Sequence, residues 1–176
     1  MPEFILTVDE NDNVIGKEEK IKTHREGKLH RAFSIFIFNS KGELLLQKRA
    51  KTKYHSGGLW TNTCCSHQRP EETLEKAVHR KLKEEMGFDC ELKEIFSFTY
   101  EAKLDNNIFE REIDHVFIGK FDGEPIPNPE EVDGWKWIYV EELKRGIREN
   151  PDSYSYWFKI SIDRVISAHQ LSSSKL

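Results

Sequence analysis

One stretch of the chain, from Pro70 to Gly87, carries an apolar stripe at helical period, and it constrains the architecture more than any other segment. Leu74, Ala77, Val78, Leu82 and Met86 recur at three- and four-residue steps, the pattern of a helix with one buried face. Pro70 suits a first helical position and Gly87 suits the left-handed residue just past the end, so the spacing predicts a helix over 70–86. Strand-like runs lie on both sides of it in the chain. Before it come residues 3–8 and a hairpin of 32–38 and 43–49 about Asn39-Ser40-Lys41-Gly42; after it come 94–103, 109–121 and 135–140. Two further helices are expected at 140–149 and 154–169. Strands with a helix between them, followed by more strands and terminal helices, predict an α+β sandwich.

No linker, repeat or low-complexity block divides the 176 residues, so residues 1–176 read as one domain, with about 170–176 as a flexible tail. Twenty-seven Lys and Arg against 31 Asp and Glu leave a net charge of −4, which argues against nucleic-acid binding through a global positive field. No apolar run reaches the ~20 residues of a membrane span, and Met1 to Thr7 lacks the basic start of a secretory leader. Cys64, Cys65 and Cys90 do not form a disulfide framework or a CxxC pair. A reducing cytoplasm is therefore expected. The 4 Trp, 5 Tyr and 11 Phe exceed what a core of this size needs.

Two groups of residues carry chemistry. Along the predicted helix, Glu72, Arg80, Leu82, Glu84, Glu85, Gly87 and Phe88 resemble the Nudix box, whose carboxylates present a divalent cation to a diphosphate. Magnesium suits that task, since it takes a few carboxylates plus substrate phosphates. Ser66 stands where the box begins with Gly, and Lys81 replaces the first Glu after the Arg. An ammonium in place of a carboxylate argues against a multi-metal hydrolase, and Lys81 is better suited to a phosphate oxygen.

The second group is His24, His30, His67, Glu110 and Glu112. Glu110 and Glu112 are two apart in a strand and leave the same face. Three imidazoles and two carboxylates would suit a transition-metal ion. If the hairpin is symmetric about Asn106, Tyr100 lies opposite Glu112 on that face. His55, His79, His115 and His169 read as surface or satisfied core residues. By themselves Cys65 reads as a small buried hydrophobe and Trp157 as helix packing.

Taken together, Thr23-His24, Leu29-His30, the run from Gly58 through Cys65-Ser66-His67, Tyr100, Glu110-x-Glu112 and Trp157 resemble type I isopentenyl-diphosphate delta-isomerases of the Nudix superfamily, over about residues 16–157. The resemblance implies a Nudix-type α/β/α sandwich with a mixed sheet. It also implies interconversion of isopentenyl and dimethylallyl diphosphate, in isoprenoid precursor biosynthesis, by protonating an alkene and removing a proton from the other side. Cys65 and Glu112 would be the acid–base pair, Tyr100 would bond Glu112, and Trp157 would face the carbocation. Lys20, Arg49, Lys53 and Lys81 would grip the diphosphate. His24, His30, His67, Glu110 and Glu112 would hold a zinc- or manganese-type ion, and Glu85 with the Cys65 carbonyl a magnesium ion. Cys64 would point the opposite way from Cys65. The partner would be the small diphosphate alone, with no nucleic acid or membrane, and the protein a monomer. Two other readings share the helix: a hydrolase of nucleoside diphosphate derivatives, and a catalytically silent diphosphate sensor.

Overall fold

In the computed structural model, which describes residues 1–174, alternation along the strands creates two apolar cores on opposite faces of one sheet. The strands are β1 (Phe4–Val8), β2 (Val14–Glu19), β3 (His30–Phe38), β4 (Glu43–Arg49), β5 (Trp60–Thr61), β6 (Cys64–His67), β7 (Leu92–Lys103), β8 (Phe109–Lys120) and β9 (Val132–Tyr139). The helices are α1 (Lys20–Glu26), α2 (Leu74–Met86), α3 (Val140–Glu149) and α4 (Tyr156–Ser173). Phe33, Ile35 and Ile37 of β3 pack with Ala77, Val78, Leu82 and Met86 of α2. Their neighbours Phe36 and Phe38 turn to the other face and meet Leu143 of α3 and Phe158, Ile162 and Val165 of α4. Because successive strand residues point oppositely, one strand serves both cores, giving the expected three-layer sandwich.

The hairpin expected of β3 and β4 is present only at its tip. The two strands share a single pair, Phe38↔Leu44, and then diverge. The chain segment 60–67 enters the gap, β5 pairing with β4 and β6 with β3. Side chains replace the missing ladder. Thr63 Oγ1 accepts from the Ile37 N–H at 3.0 Å and donates to the Leu45 carbonyl at 2.7 Å. Asn62 Nδ2 donates to the carbonyls of Ile35 and Cys64. Backbone groups inside a core must be paired, and Asn62-Thr63 does this where two strands part. On its other edge β3 runs parallel to β8, with His30 beside Glu112, so the sheet is mixed.

Helix α2 starts four residues later than its sequence predicts. Thr73 is the N-cap, its Oγ1 accepting from the Lys76 N–H at 3.2 Å, and Pro70 to Glu72 form a turn ahead of it. A capping hydroxyl satisfies a free N–H that Pro70 could not. Glu72 therefore does not ride the helix but clamps Arg80 from the preceding turn, at 2.8 and 2.6 Å. Lys81, on the same helix, lies buried beside Glu85. Strand β2 and helix α1 were not foreseen. Glu19 caps α1 by accepting from the N–H groups of Ile21 and Lys22. Helix α4 runs through Ser173, so most of the expected tail is helical, while residues 175 and 176 lie outside the described residues. Among the described residues, no helix is long and apolar enough to cross a membrane.

Gly87 ends α2 with φ +75°, and a Cβ there would overlap the carbonyl oxygen of Ile126. Gly87→Ala should cost about 1–3 kcal/mol, lowering the melting temperature by several degrees. A thermal melt matching the parent would show that the turn relaxes freely.

Candidate active site

Four elements bring the titratable residues together at one end of the sheet. Helix α1 supplies His24, β3 supplies His30, β6 supplies Cys65 and His67, and β8 supplies Glu110 and Glu112. One ligand atom each from His24, His30, His67, Glu110 and Glu112 can be chosen so that all lie within 4.8 Å of one another, and all five residues are buried. His24 Nδ1–H donates to the Lys20 carbonyl at 2.6 Å, and His30 Nδ1–H to the Lys28 carbonyl at 2.8 Å. Both imidazoles thus turn Nε2 inward, the arrangement in which a backbone carbonyl orients a ligating ring.

The carboxylates meet those nitrogens. Glu112 Oε1 lies 3.1 Å from His30 Nε2 and 3.0 Å from His67 Nε2. Its Oε2 accepts from the Tyr100 hydroxyl at 2.8 Å, in the register symmetric about Asn106, Tyr100↔Glu112. Glu110 Oε2 lies 3.5 Å from His24 Nε2 yet has no hydrogen-bond partner, and His67 Nδ1 is likewise buried without one. Leaving a carboxylate oxygen buried and unpaired is costly. That orphan, the converging nitrogens and the N/O donor set fit a divalent ion.

Burial and neighbours pull these groups apart in proton affinity. Burial opposes charge on His30, but the hydrogen bond and charge of Glu112, with Glu110, outweigh it and raise its pKa. Burial wins at His67, which is held well below the ordinary histidine value. Burial also works against the Glu110 anion, but the adjacent imidazoles of His24 and His55 more than offset it and hold its pKa well below the usual carboxylate range. Burial pushes the Tyr100 phenol well up, helped by the charge of Glu112.

Against this cluster lies a cavity of about 160 Å³ that it shares with the remaining expected residues. Cys65, Tyr100, Trp157, Lys20, Arg49, Lys53, Lys81 and Glu85 all line it, and Arg49 lies against two of them, its Nη1 3.9 Å from Cys65 Sγ and its guanidinium 5.2 Å from the Trp157 ring centroid. Burial raises the Cys65 thiol to about 12, partly countered by Arg49, so it is protonated at neutral pH. Cys64 faces the opposite core, its Sγ 3.5 Å from Glu85 Oε2. Trp157 Nε1–H donates to Asn62 Oδ1 at 3.1 Å, which fixes the indole. Lys20 pairs with Glu3 at 3.0 Å, Lys81 with Glu85 at 3.0 Å, and Lys53 with Glu131. Arg49 differs: it is buried, donates to the His55 carbonyl at 3.1 Å, and its Nε has no partner.

Sequence reasoning missed three features of the site. His55 is buried with Nε2 2.9 Å from Glu110 Oε1. Tyr54 stands edge-on to His24, its Oη 3.4 Å from Nε2. Asp114, buried next along the same face of β8, accepts from Ser34 Oγ at 2.7 Å. Tyr54 and His55 sit in a loop, where no periodicity points to a face. The other three histidines behave as expected, His79 on Asp89, His115 between Asp12 and Glu94, and His169 stacked on Phe38.

The fold and the α2 carboxylates define a class, and the comparisons agree: the model of the NUDIX domain matches residues 28–158. A Deinococcus radiodurans structure superposes with a TM-score of 0.75 at 21% identity, covering 94% of this chain and 98% of that one. The MutT NUDIX hydrolase of Burkholderia pseudomallei superposes at 0.62 with 20% identity, covering 78% and 98%. At such identities these two speak for the fold alone. Isopentenyl-diphosphate delta-isomerase 1 of Aromatoleum aromaticum is 53% identical over 97% of this chain and 96% of its own. Isopentenyl-diphosphate delta-isomerase 2 of Photorhabdus laumondii is 58% identical over 90% of each. The chain belongs to the isopentenyl-diphosphate delta-isomerase family within the NUDIX fold.

Metal ligation needs neutral imidazoles, and His30 has the raised proton affinity of the cluster. Divalent-ion binding to the metal-free protein should weaken from about pH 8 to about pH 6, by at most about tenfold per unit for one displaced proton. Titration calorimetry with Mn²⁺ at both pH values checks this, and equal affinities would contradict it.

Proposed function

We infer that the chain interconverts isopentenyl diphosphate and dimethylallyl diphosphate, an isomerase reaction that moves a double bond through a tertiary carbocation. The observation that carries this reading is the convergence of a protonated thiol, a carboxylate–phenol pair and an indole on one cavity. A hydrolase of nucleoside diphosphates has no use for that set, and Lys81 occupies a place where its metals would need a carboxylate.

The roles follow from the chemistry of each group. The carbocation would be captured by water, so the reacting carbons need a dry, non-nucleophilic wall. Trp157 offers its ring, a contact worth about 2 kcal/mol or more when desolvated. Cys65 has a proton to give because burial disfavours its thiolate. Glu112 can take or give a proton, and Tyr100, 2.8 Å away, can pass it on. Lys20, Arg49, Lys53 and Lys81 would bind the diphosphate, exchanging Glu3, Glu131 and Glu85 for phosphate oxygens. Anchoring that remote charged group fixes an alkene that has nothing polar of its own.

A zinc- or manganese-type ion on His24, His30, His67, Glu110 and Glu112 would tune the basicity of Glu112, and magnesium on Glu85 and the Cys65 carbonyl would neutralise diphosphate charge. The same reading takes the protein as a cytoplasmic monomer, and its three free thiols fit a reducing compartment.

Incubation with isopentenyl diphosphate and magnesium should yield the dimethylallyl isomer without phosphate release; released phosphate and no isomer would favour hydrolysis. Cys65→Ala should lower kcat by about 10²–10⁴-fold with diphosphate affinity near that of the parent, and full residual activity would remove Cys65 from the mechanism. Glu85→Gln should shift the magnesium dependence of the rate to higher concentration. An unchanged magnesium titration would assign that ion to another group.

A further inference from the structure

Glu110 and Glu112 are held in matching ways from outside the imidazole cluster. For Glu112 the holder is Tyr100, which takes Oε2 and leaves Oε1 facing His30 and His67. For Glu110 the holder is His55. Its Nε2 lies 2.9 Å from Oε1, leaving Oε2 at 3.5 Å from His24 Nε2 and 3.9 Å from His30 Nε2, buried and without a hydrogen-bond partner.

We propose that His55 is a positioning residue of the His/Glu centre: it pins Glu110 so that a single oxygen, Oε2, faces the bound ion, and it couples that centre to the indole of Trp157. The proposal rests on the metal-bearing reading of the cluster. A carboxylate free to turn about its last torsion can offer both oxygens to a cation. One whose second oxygen accepts a fixed N–H offers one. With both carboxylates so held, the centre presents three nitrogens and two oxygens, a donor set that suits a zinc- or manganese-type ion better than an oxygen-rich calcium site.

His55 is built to hold this geometry. A carboxylate only accepts, so Nε2 carries the proton, and Nδ1, 3.2 Å from Ser56 Oγ, is left to accept from that hydroxyl. The backbone is tied down on each side. Arg49 donates to the His55 carbonyl at 3.1 Å, Asn106 donates to the Tyr54 carbonyl at 3.3 Å, and the Ser56 N–H donates to Asp105 at 2.9 Å. Ser56 itself has φ +52°, a conformation that a non-glycine residue keeps only when its surroundings enforce it. The His55 ring lies perpendicular to Trp157 with centroids 5.6 Å apart. Any swing of His55 away from Glu110 therefore disturbs the wall that faces the reacting alkene.

The test compares variants of the full chain that differ in the donor. His55→Phe and His55→Met fill the space without an N–H, whereas His55→Gln keeps one. Each protein is stripped of metal and titrated with Co²⁺, reading the dissociation constant by chelator competition and the ligand-field absorption of the ion. The donorless variants should bind Co²⁺ about 10–100-fold more weakly, with an altered spectrum, and Gln should restore most of both. Donorless variants with the parent's affinity and spectrum would overturn the proposal, as would a Gln variant as weak as they are. A parent that binds no Co²⁺ would overturn the metal-bearing reading together with it.

Discussion

Five ionisable side chains are buried within one small volume, and the structure depends on how that burial is made tolerable. Two carboxylates taken from water beside three imidazoles would be ruinous if any of them were free to choose its partner. Backbone carbonyls hold Nδ1 of His24 and His30, and Tyr100 and His55 hold the outer oxygens of the two carboxylates. What is left facing inward is Glu112 Oε1, against the Nε2 atoms of His30 and His67, and Glu110 Oε2, buried without a hydrogen-bond partner. A divalent cation could complement such a set, and the surrounding hydrogen bonds make the site a receptacle with fixed walls.

The cavity beside that receptacle is lined by cations together with a thiol, a phenol and an indole. Lys20, Lys53 and Lys81 meet the carboxylates of Glu3, Glu131 and Glu85, whereas Arg49 donates to the His55 carbonyl. The Arg49 guanidinium reaches both the Cys65 thiol and the Trp157 indole. Four cations thus line one cavity in a chain of net charge −4. Cys65 and Cys64, adjacent in sequence, differ in surroundings. The pleat of β6 turns Cys65 to the cavity and Cys64 to the core under α2.

Much of this was legible in the residues themselves. The stripe from Leu74 to Met86 and the stop at Gly87 identified α2, and the pairing of Tyr100 with Glu112 followed from a hairpin symmetric about Asn106. The misjudged points share a cause. Helix α2 begins at Leu74 because the Thr73 hydroxyl caps it, a local competition that Pro70 obscured. The hairpin of β3 and β4 opens because Asn62 and Thr63 satisfy the backbone from side chains, and that exchange leaves no periodic trace. Lys81 is buried because Glu85 neutralises it, although its residue type suggests solvent.

The sequence by itself determined the period of each element, the faces on which paired residues emerge, and the types of donor available, because those follow from backbone geometry and side-chain chemistry within a few residues. Only the tertiary structure decided that the segment 60–67 wedges between β3 and β4 and that α1 turns His24 inward. It alone brought His55, from a loop without pattern, onto Glu110, 55 residues away in the chain. Those outcomes depend on hydrogen bonds between residues distant in sequence, and no local rule encodes which carboxylate oxygen a remote imidazole will reach.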